Sequence, residues 1–422
     1  MFHPDAATGD DALSGGAISA AGPKLQPVMT STIRLEASSA CQLRCPSCPT
    51  TTGHTSDVVG KSVLRLADFV KRIDDNPWIG RIELSNYGEV FLNLGLLAIF
   101  RYAYERNVTL EIANGANLNH VRDDVLEGLV RYRVAKMTCS IDGASQDVYA
   151  RYRVRGNYER VIGNIRRINH FKSAHGSELP RLTWQFIAFG HNEHEIGSAR
   201  DLATELGMTF FVKLNWDPEL SPVVDEDTIR VATRTGAATR SEFREKHGSD
   251  YASTICDQLW SSPQINWDGK VLGCCRNFWG EFGGNAFREG LRASLNHEKL
   301  SYAREMLEGA KPPRSDIPCT TRDLYAERKN SNRWFKPRPR TDASMRTISG
   351  VWSRALAAEK QGRSEQAAAW ARILLQLKPD HAEALNLLGQ VAESAGRSEA
   401  ASYYREKATS IATFLGPQRD EM

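Results

Sequence analysis

Between about residues 31 and 220, short β-branched runs alternate with amphipathic segments. Six runs read as strands: Thr32 to Ala37, Arg81 to Ser85, Val108 to Ala113, Lys136 to Ile141, Leu182 to Ala188 and Thr209 to Leu214. Between them apolar residues fall at helical spacing, as in Val63, Leu66, Phe69, Val70 and Ile73, and again in Val161, Ile162, Ile165 and Ile168. Six strands separated by helices predict an α/β fold with a parallel sheet and right-handed crossovers. Further on, Asn266-Trp267-Asp268-Gly269 reads as a tight hairpin turn.

Composition narrows the class. At 422 residues the chain is long enough for two or three domains with real cores, and 41% hydrophobic with 25% charged residues is ordinary for globular proteins. No apolar run approaches the roughly eighteen residues that cross a bilayer. The stretch from Met1 to Gln26 lacks the apolar centre of a secretory signal and is rich in Gly, Ala, Ser and Asp, so a flexible tail is expected over 1–30. Without an export signal a cytoplasmic protein with reduced cysteines is expected, and metal or redox chemistry reads better than disulfides. The net charge of +3 says little about partners.

Three of the eight cysteines, Cys41, Cys45 and Cys48, follow the first strand at C-x3-C-x2-C spacing. Structural zinc wants four ligands in two paired groups, and no second pair lies nearby. Iron–sulfur clusters are also held by thiolates, usually four, so a set of three leaves one iron open. At these residues the sequence resembles the radical S-adenosylmethionine (SAM) enzymes. The resemblance implies that Cys41, Cys45 and Cys48 hold a 4Fe-4S cluster whose open iron chelates SAM. It also implies electron transfer from the cluster that yields a hydrogen-abstracting 5′-deoxyadenosyl radical. Ser47 departs from the family, where the position before the last cysteine is often aromatic, so adenine stacking must come from elsewhere. The resemblance sharpens the fold to a partial (β/α)6 TIM-like barrel over 31–225, with working residues at the C-terminal ends of its strands.

Polar residues at those strand ends follow the same resemblance. Asn86-Tyr87-Gly88-Glu89 is similar to the family's Gly-Gly-Glu segment, with Tyr87 in the first glycine's place. It implies that Gly88 lets the backbone approach SAM and that Glu89, with a carbonyl, receives the methionine ammonium group. Read alone, the segment is an ordinary strand-to-helix turn. Asn114-Gly115 is similar to the family's Thr-Asn-Gly. By period-two alternation Ser140 and Asp142 share a face toward the barrel mouth, while Cys139 is placed against the helices as a buried hydrophobe. Arg153 is expected to help hold a carboxylate, which guanidinium matches bidentately. Gln185 and Asn192 fit ribose or adenine contacts.

A second cysteine group comprises Cys256, Cys274, Cys275 and Cys319. With the hairpin turn and the Gly269-x4-Cys274 spacing it resembles the SPASM or twitch extension of radical SAM enzymes, here over 226–325. Four cysteines allow one auxiliary iron–sulfur cluster. The usual closing Cys-x2-Cys has Arg322 at its second place, so either Cys275 supplies the fourth ligand or that iron is open. Residues 311–346 carry ten Lys or Arg against four Asp or Glu and five prolines. A solvated basic, proline-rich linker (326–348) reads better than a nucleic-acid arm. Beyond it, Gly362-Arg363-Ser364-Glu365 recurs as Gly396-Arg397-Ser398-Glu399. That period and the small residues Ala367 and Ala401 resemble a tetratricopeptide helical repeat over 349–415. Barely two repeats are present, so the pair should dock on the preceding domain, a second subunit or a partner.

Together these resemblances imply a radical SAM enzyme of oxidoreductase type that oxidises or rearranges a small molecule such as a sugar, cyclitol or natural-product intermediate. They also imply an external one-electron reductant such as flavodoxin or ferredoxin. One alternative is a ribosomal-peptide maturase whose helical repeat grips the peptide, although the short tail leaves no room for a winged-helix leader-binding domain. A non-enzymatic zinc scaffold is the alternative from another class.

Overall fold

The computed structural model describes residues 30–335 and 348–415. The expected tail lies outside them apart from Thr30. One sheet of eight strands organises the chain ahead of its C-terminal helices: β1 (Thr32–Leu35), β2 (Arg81–Glu83), β3 (Thr109–Ala116), β4 (Lys136–Ser140), β5 (Arg181–Ala188), β6 (Thr209–Leu214), β7 (Gln264–Ile265) and β8 (Val271–Gly273), in the order β6-β5-β4-β3-β2-β1-β7-β8. Strands β1 to β6 pair with their sequence neighbours in parallel, as the six-run pattern predicts. The crossovers carry helices α1 (Leu66–Asp75), α2 (Leu96–Glu105), α3 (Asp123–Arg131), α4 (Gln146–Tyr152), α5 (Tyr158–Ala174) and α6 (Ile196–Glu205).

Alternation along each strand sorts the side chains. Ile33, Leu35, Ile82, Leu84, Leu110, Ile112, Met137, Cys139, Trp184, Phe186, Val212 and Leu214 are buried in one core with Phe69, Phe100, Leu126, Ile165 and Ala199 of the helices. Each large aliphatic or aromatic side chain contributes about 1.5–3 kcal/mol, so this layer holds the sheet together. The other face is polar, with Arg34, Glu36, Glu83, Ser85, Ser140, Gln185 and Lys213 among its residues. A sheet this polar on one side must close around something, and here it encloses the cavity described below.

After β6 come α7 (Glu226–Ala232), α8 (Arg240–His247) and α9 (Gln258–Ser261), and then the β7–β8 hairpin. Its turn forms where expected, with the Gly269 amide donating to the Asn266 carbonyl at 3.0 Å and Gly269 at φ +89°. Unlike a separate module, the hairpin extends the barrel sheet, because β7 pairs in parallel with β1, setting Arg34 against Gln264 and Leu35 against Ile265. Helices α10 (Leu291–Leu295), α11 (Glu298–Leu307) and α12 (Asp323–Ser331) follow it.

The linker expected over 326–348 begins later than the sequence suggested. Helix α12 runs to Ser331, and the Trp334 ring packs at a tilt against that of Tyr325. Phe335 donates its amide to the Leu307 carbonyl at 3.0 Å, with its ring 5.4 Å from that of Trp260. Aromatic packing, invisible in a composition window, holds those residues. Residues 336–347 lie outside the described residues.

Helices α13 (Ile348–Lys360), α14 (Ser364–Leu377), α15 (Ala382–Ser394) and α16 (Ser398–Leu415) form the C-terminal part. The interval from the start of α13 to that of α15 equals the interval from the start of α14 to that of α16, so the recurring sequence is a recurring helix pair. The pairs dock on the barrel at the N-terminal ends of its strands. Arg372 donates to the Asn107 carbonyl (3.0 Å), Tyr404 to the Arg106 carbonyl (2.8 Å) and Lys407 to the Asp74 carbonyl. Asn107 lies just before β3, and Gly80, which leaves room for Arg372, directly precedes β2. Among the described residues no helix is long and apolar enough to cross a membrane.

Candidate active site at the barrel mouth

The loop after β1 carries Cys41, Cys45 and Cys48 over the C-terminal ends of the strands. Backbone bonds pin it: the Arg44 amide donates to the Val154 carbonyl (3.1 Å) and the Cys48 amide to the Cys45 carbonyl (3.1 Å). Leu43 and Cys45 are buried against Tyr152, Ile187 and Phe189. Two of the three sulfurs receive N–H groups. Asn117 Nδ2 points at Cys41 Sγ and Arg153 Nη1 at Cys45 Sγ, each at 3.8 Å. Burial, helped by the Glu89 charge, pushes the Cys41 thiol up to about 12, and burial also pushes Cys45 up against the pull of Arg153. Such thiols ionise when a cation replaces the proton, which iron does. Among the described residues no three His, Cys, Asp or Glu converge on one point as a single metal ion requires.

All three cysteines line a cavity of about 1040 Å³. Of the residues singled out in the sequence, Tyr87, Gly88, Glu89, Asn114, Ser140, Arg153 and Gln185 line it too, while Asp142 and Asn192 do not. Asp142 is fully buried beneath the site, accepting from Arg153 Nε (2.6 Å) and the Ile187 amide (2.7 Å). Asn192, also fully buried, donates to the Ile187 and Asp142 carbonyls and accepts from the Phe189 amide. Its side-chain amide is spent on shaping the β5 loop, which leaves nothing for a ribose or adenine contact.

The segment after β2 also differs in detail from expectation. A Cβ on Gly88 would lie 2.3 Å from the Ser38 carbonyl and 2.6 Å from that of Ala40, so the glycine serves close passage of the cysteine loop. Glu89 caps the turn Val90–Leu92 and accepts from the Asn117 amide at 2.6 Å. Burial pushes its carboxyl up to about 7. Tyr87 reaches out of the barrel, its hydroxyl donating to the Asn277 carbonyl at 2.7 Å beyond β8. Asn114 donates to Asn86 Oδ1 at 2.8 Å.

The second cysteine group divides. Cys256 sits in the turn Ser253–Asp257, Cys319 in Pro318–Thr321 and Cys274 just after β8. Burial pushes all three thiols up, and neighbouring thiols of the group add to it for Cys274 and Cys319. Cys275 instead joins the wall of the main cavity. Arg322, at the place where the spacing called for a cysteine, lies 3.8 Å over the Trp279 ring.

Several lining or supporting residues escaped the sequence. Asn117, Tyr152, Lys213, Trp216 and Arg240 line the cavity. The Tyr152 hydroxyl bonds to Ser47 Oγ at 3.1 Å, so an aromatic ring stands beside the position where Ser47 offers none. Glu36, 1% exposed, accepts from the Tyr87 and Gly88 amides, and Glu83 from the Ala113 and Asn114 amides. These two carboxylates shape both loops that carry Glu89 and Asn114. Glu36 and Lys213 were findable, as charged residues on the inward phase of strands whose other phase is apolar. Arg240 and Tyr152 carry no such signal.

No family model matches this chain, and no curated protein does. Among solved structures, SuiB of Streptococcus suis is similar over 65% of this chain and 67% of its own, at 12% identity and TM-score 0.50. SuiB bound to S-adenosylmethionine is similar over 71% of this chain and 72% of its own, at 12% identity and TM-score 0.51. At that identity the shared property is the fold.

Proposed function

We propose that this chain is a radical SAM enzyme acting on a small molecule. The observation that carries the reading is the gathering of Cys41, Cys45 and Cys48 on one wall of a cavity at the C-terminal ends of a partial barrel, with Arg153 and Asn117 donating to two of the sulfurs. That SuiB, which shares the fold, has been solved bound to S-adenosylmethionine supports it.

On this reading Cys41, Cys45 and Cys48 hold a 4Fe-4S cluster, and Cys256, Cys274 and Cys319 hold an auxiliary one. When bound, the first supplies the electron that splits SAM into a hydrogen-abstracting radical, and the second an acceptor for the electron left on the substrate. The chain's own part is binding and exclusion. The Asn117 and Arg153 N–H groups offset negative charge on the sulfurs. Arg153, locked by Asp142, would meet a carboxylate of SAM, and Glu89 with the neighbouring carbonyls would meet its ammonium. Trp216 offers flat apolar surface for adenine, while Ser140, Gln185 and Asn114 offer hydrogen bonds that orient what lies between.

Cavity size bears on the substrate. About 1040 Å³ stands at the top of the roughly 300–1,000 Å³ that single small-molecule sites occupy, which is room for SAM and a second compound. The helical repeat docks at the far ends of the strands, away from the mouth, so it does not grip a peptide entering there. The placement of the repeat favours the small-molecule reading over the peptide maturase.

The test is anaerobic reconstitution with iron and sulfide counting. Two clusters bring about eight irons per chain, four to each. Dithionite should then drive cleavage of SAM to 5′-deoxyadenosine. A C41A/C45A/C48A variant should keep about half the iron and lose all cleavage. Cleavage by that variant, or reconstituted wild type without a cluster signal, would overturn the reading.

A further inference from the structure

Two cations on the β6 side of the cavity have no carboxylate of their own. Strand alternation turns Val212 and Leu214 into the helix-facing core and Lys213 into the cavity. The Lys213 ammonium makes no hydrogen bond or ion pair among the described residues. Beside it stands Arg240, at the start of α8. The Tyr251 ring, 4.9 Å away, and the Leu214 carbonyl, 3.4 Å from Nη2, hold its guanidinium in place. Arg240 Nε is buried with no hydrogen-bond partner among the described residues.

The neighbouring carboxylates are already taken or stand apart. Asp250 accepts from Arg244 at 2.7 Å and from the Ala252 amide at 2.8 Å, with Arg276 at 3.9 Å. Glu226 is paired with Arg230. Asp323 lies exposed on α12. Burial, and after it the Arg240 charge, holds the Lys213 ammonium below its usual range, against a weaker pull from Cys275 and Asp142. Burial and then Arg276 do the same to Arg240. Two like charges drawn out of water toward one space cost free energy that an anion in that space returns.

We propose that Lys213 and Arg240 form an anion-binding subsite that receives a carboxylate or phosphate group of the substrate. The proposal rests on the radical SAM reading for what the cavity contains and adds the class of its second occupant, an acidic small molecule. A guanidinium and an ammonium side by side suit either group, each offering two or more oxygens to charged donors. Arg153, held by Asp142 near Cys45, is left for SAM.

The test uses the full, anaerobically reconstituted chain and measures binding directly by calorimetry, with inorganic phosphate in one arm and succinate in the other. At least one should bind saturably. K213M and R240M should each weaken it roughly tenfold or more, the scale of a lost charge-assisted hydrogen bond. K213R should stay within about threefold of wild type, because the charge is kept, which separates the subsite from a folding defect. Preference for phosphate points to a phosphorylated substrate and preference for succinate to a carboxylic acid. SAM affinity, measured on the same samples, should be unchanged by K213M. The subsite is refuted if neither probe binds, if K213M and R240M bind them as wild type does, or if SAM affinity falls in step with probe affinity. Failure of the underlying reading would show separately, in iron content and SAM cleavage.

Discussion

Replacing Asp142 by alanine removes the anion from the most buried ion pair of the site. Asp142 is fully buried and its partner Arg153 nearly so, at 0% and 13% side-chain exposure, with 2.6 Å between Oδ2 and Nε. Burial works against the Arg153 charge, and Asp142 first and Cys45 next more than restore it. Breaking a buried pair from one side leaves an uncompensated charge and costs about 3–5 kcal/mol. Part of that is the Ile187 amide, left without its 2.7 Å acceptor, at about 1–3 kcal/mol. At about 2–4 °C per kcal/mol for a unit of this size, the melting temperature should fall by roughly 6–20 °C. The assay is thermal and urea unfolding of the reconstituted protein, with SAM affinity measured in parallel. Since Arg153 also donates to Cys45 Sγ, SAM binding should weaken as well. D142A/R153M should be less destabilised than the sum of its single variants, because it buries no orphan charge. A D142A protein within about 1 kcal/mol of wild type, or strict additivity in the double variant, would refute the account of this pair.

Three further outcomes follow from the geometry. G88A should cost about 1–3 kcal/mol and lower iron content, since its Cβ meets only backbone, 2.3 Å from the Ser38 carbonyl and 2.6 Å from that of Ala40, next to Cys41; wild-type iron content in a folded G88A would count against it. Burial pushes the Glu36 carboxyl from 4.5 up to about 8, so its contribution is fully present below about pH 4.5 and is lost as pH rises through 8; unfolding free energies from urea titrations at pH 5 and pH 8 should therefore differ less in E36Q than in wild type, by a margin on the order of a few kcal/mol. Y404F, which removes the hydroxyl bonded to the Arg106 carbonyl at the strands' N-terminal ends, should cost about 1 kcal/mol in chemical unfolding and leave the SAM cleavage rate within about twofold.

The parts of this protein that were legible in the sequence share a physical property: they are local. Short β-branched runs located all six barrel strands to within a few residues, because each strand's pattern is complete within a short run. The same holds for the hairpin turn at Asn266 to Gly269 and for the cysteine loop. The Cys139 thiol went to the helix-facing core for the same reason. The features that stayed hidden depend on partners distant in sequence. The pairing of β7 with β1 sets Gln264 beside Arg34, and nothing in Gln264-Ile265 announces it. Asn192 was assigned to a ligand because it follows a strand, yet its amide completes a backbone turn whose acceptors, the Ile187 and Asp142 carbonyls, no motif specifies.

Long-range packing also decides which end of the barrel does what. A parallel barrel has two chemically distinct ends, and the loops at the C-terminal ends of its strands are free to vary while those at the N-terminal ends must return the chain. Here the cysteine loop, Gly88, Asn114, Arg153 and Lys213 all fall at or near the former. The helical repeat takes the latter, where Arg372 and Tyr404 cap carbonyls in the α2–β3 turn. Those repeat side chains are thereby used within the chain. Glu111 is bracketed by Arg81 and Lys136 on adjacent strands, whereas Lys213 and Arg240 form no ion pair among the described residues. Lys213 and Arg240 face the cavity without an ion pair of their own, and an anion entering it would offset both charges.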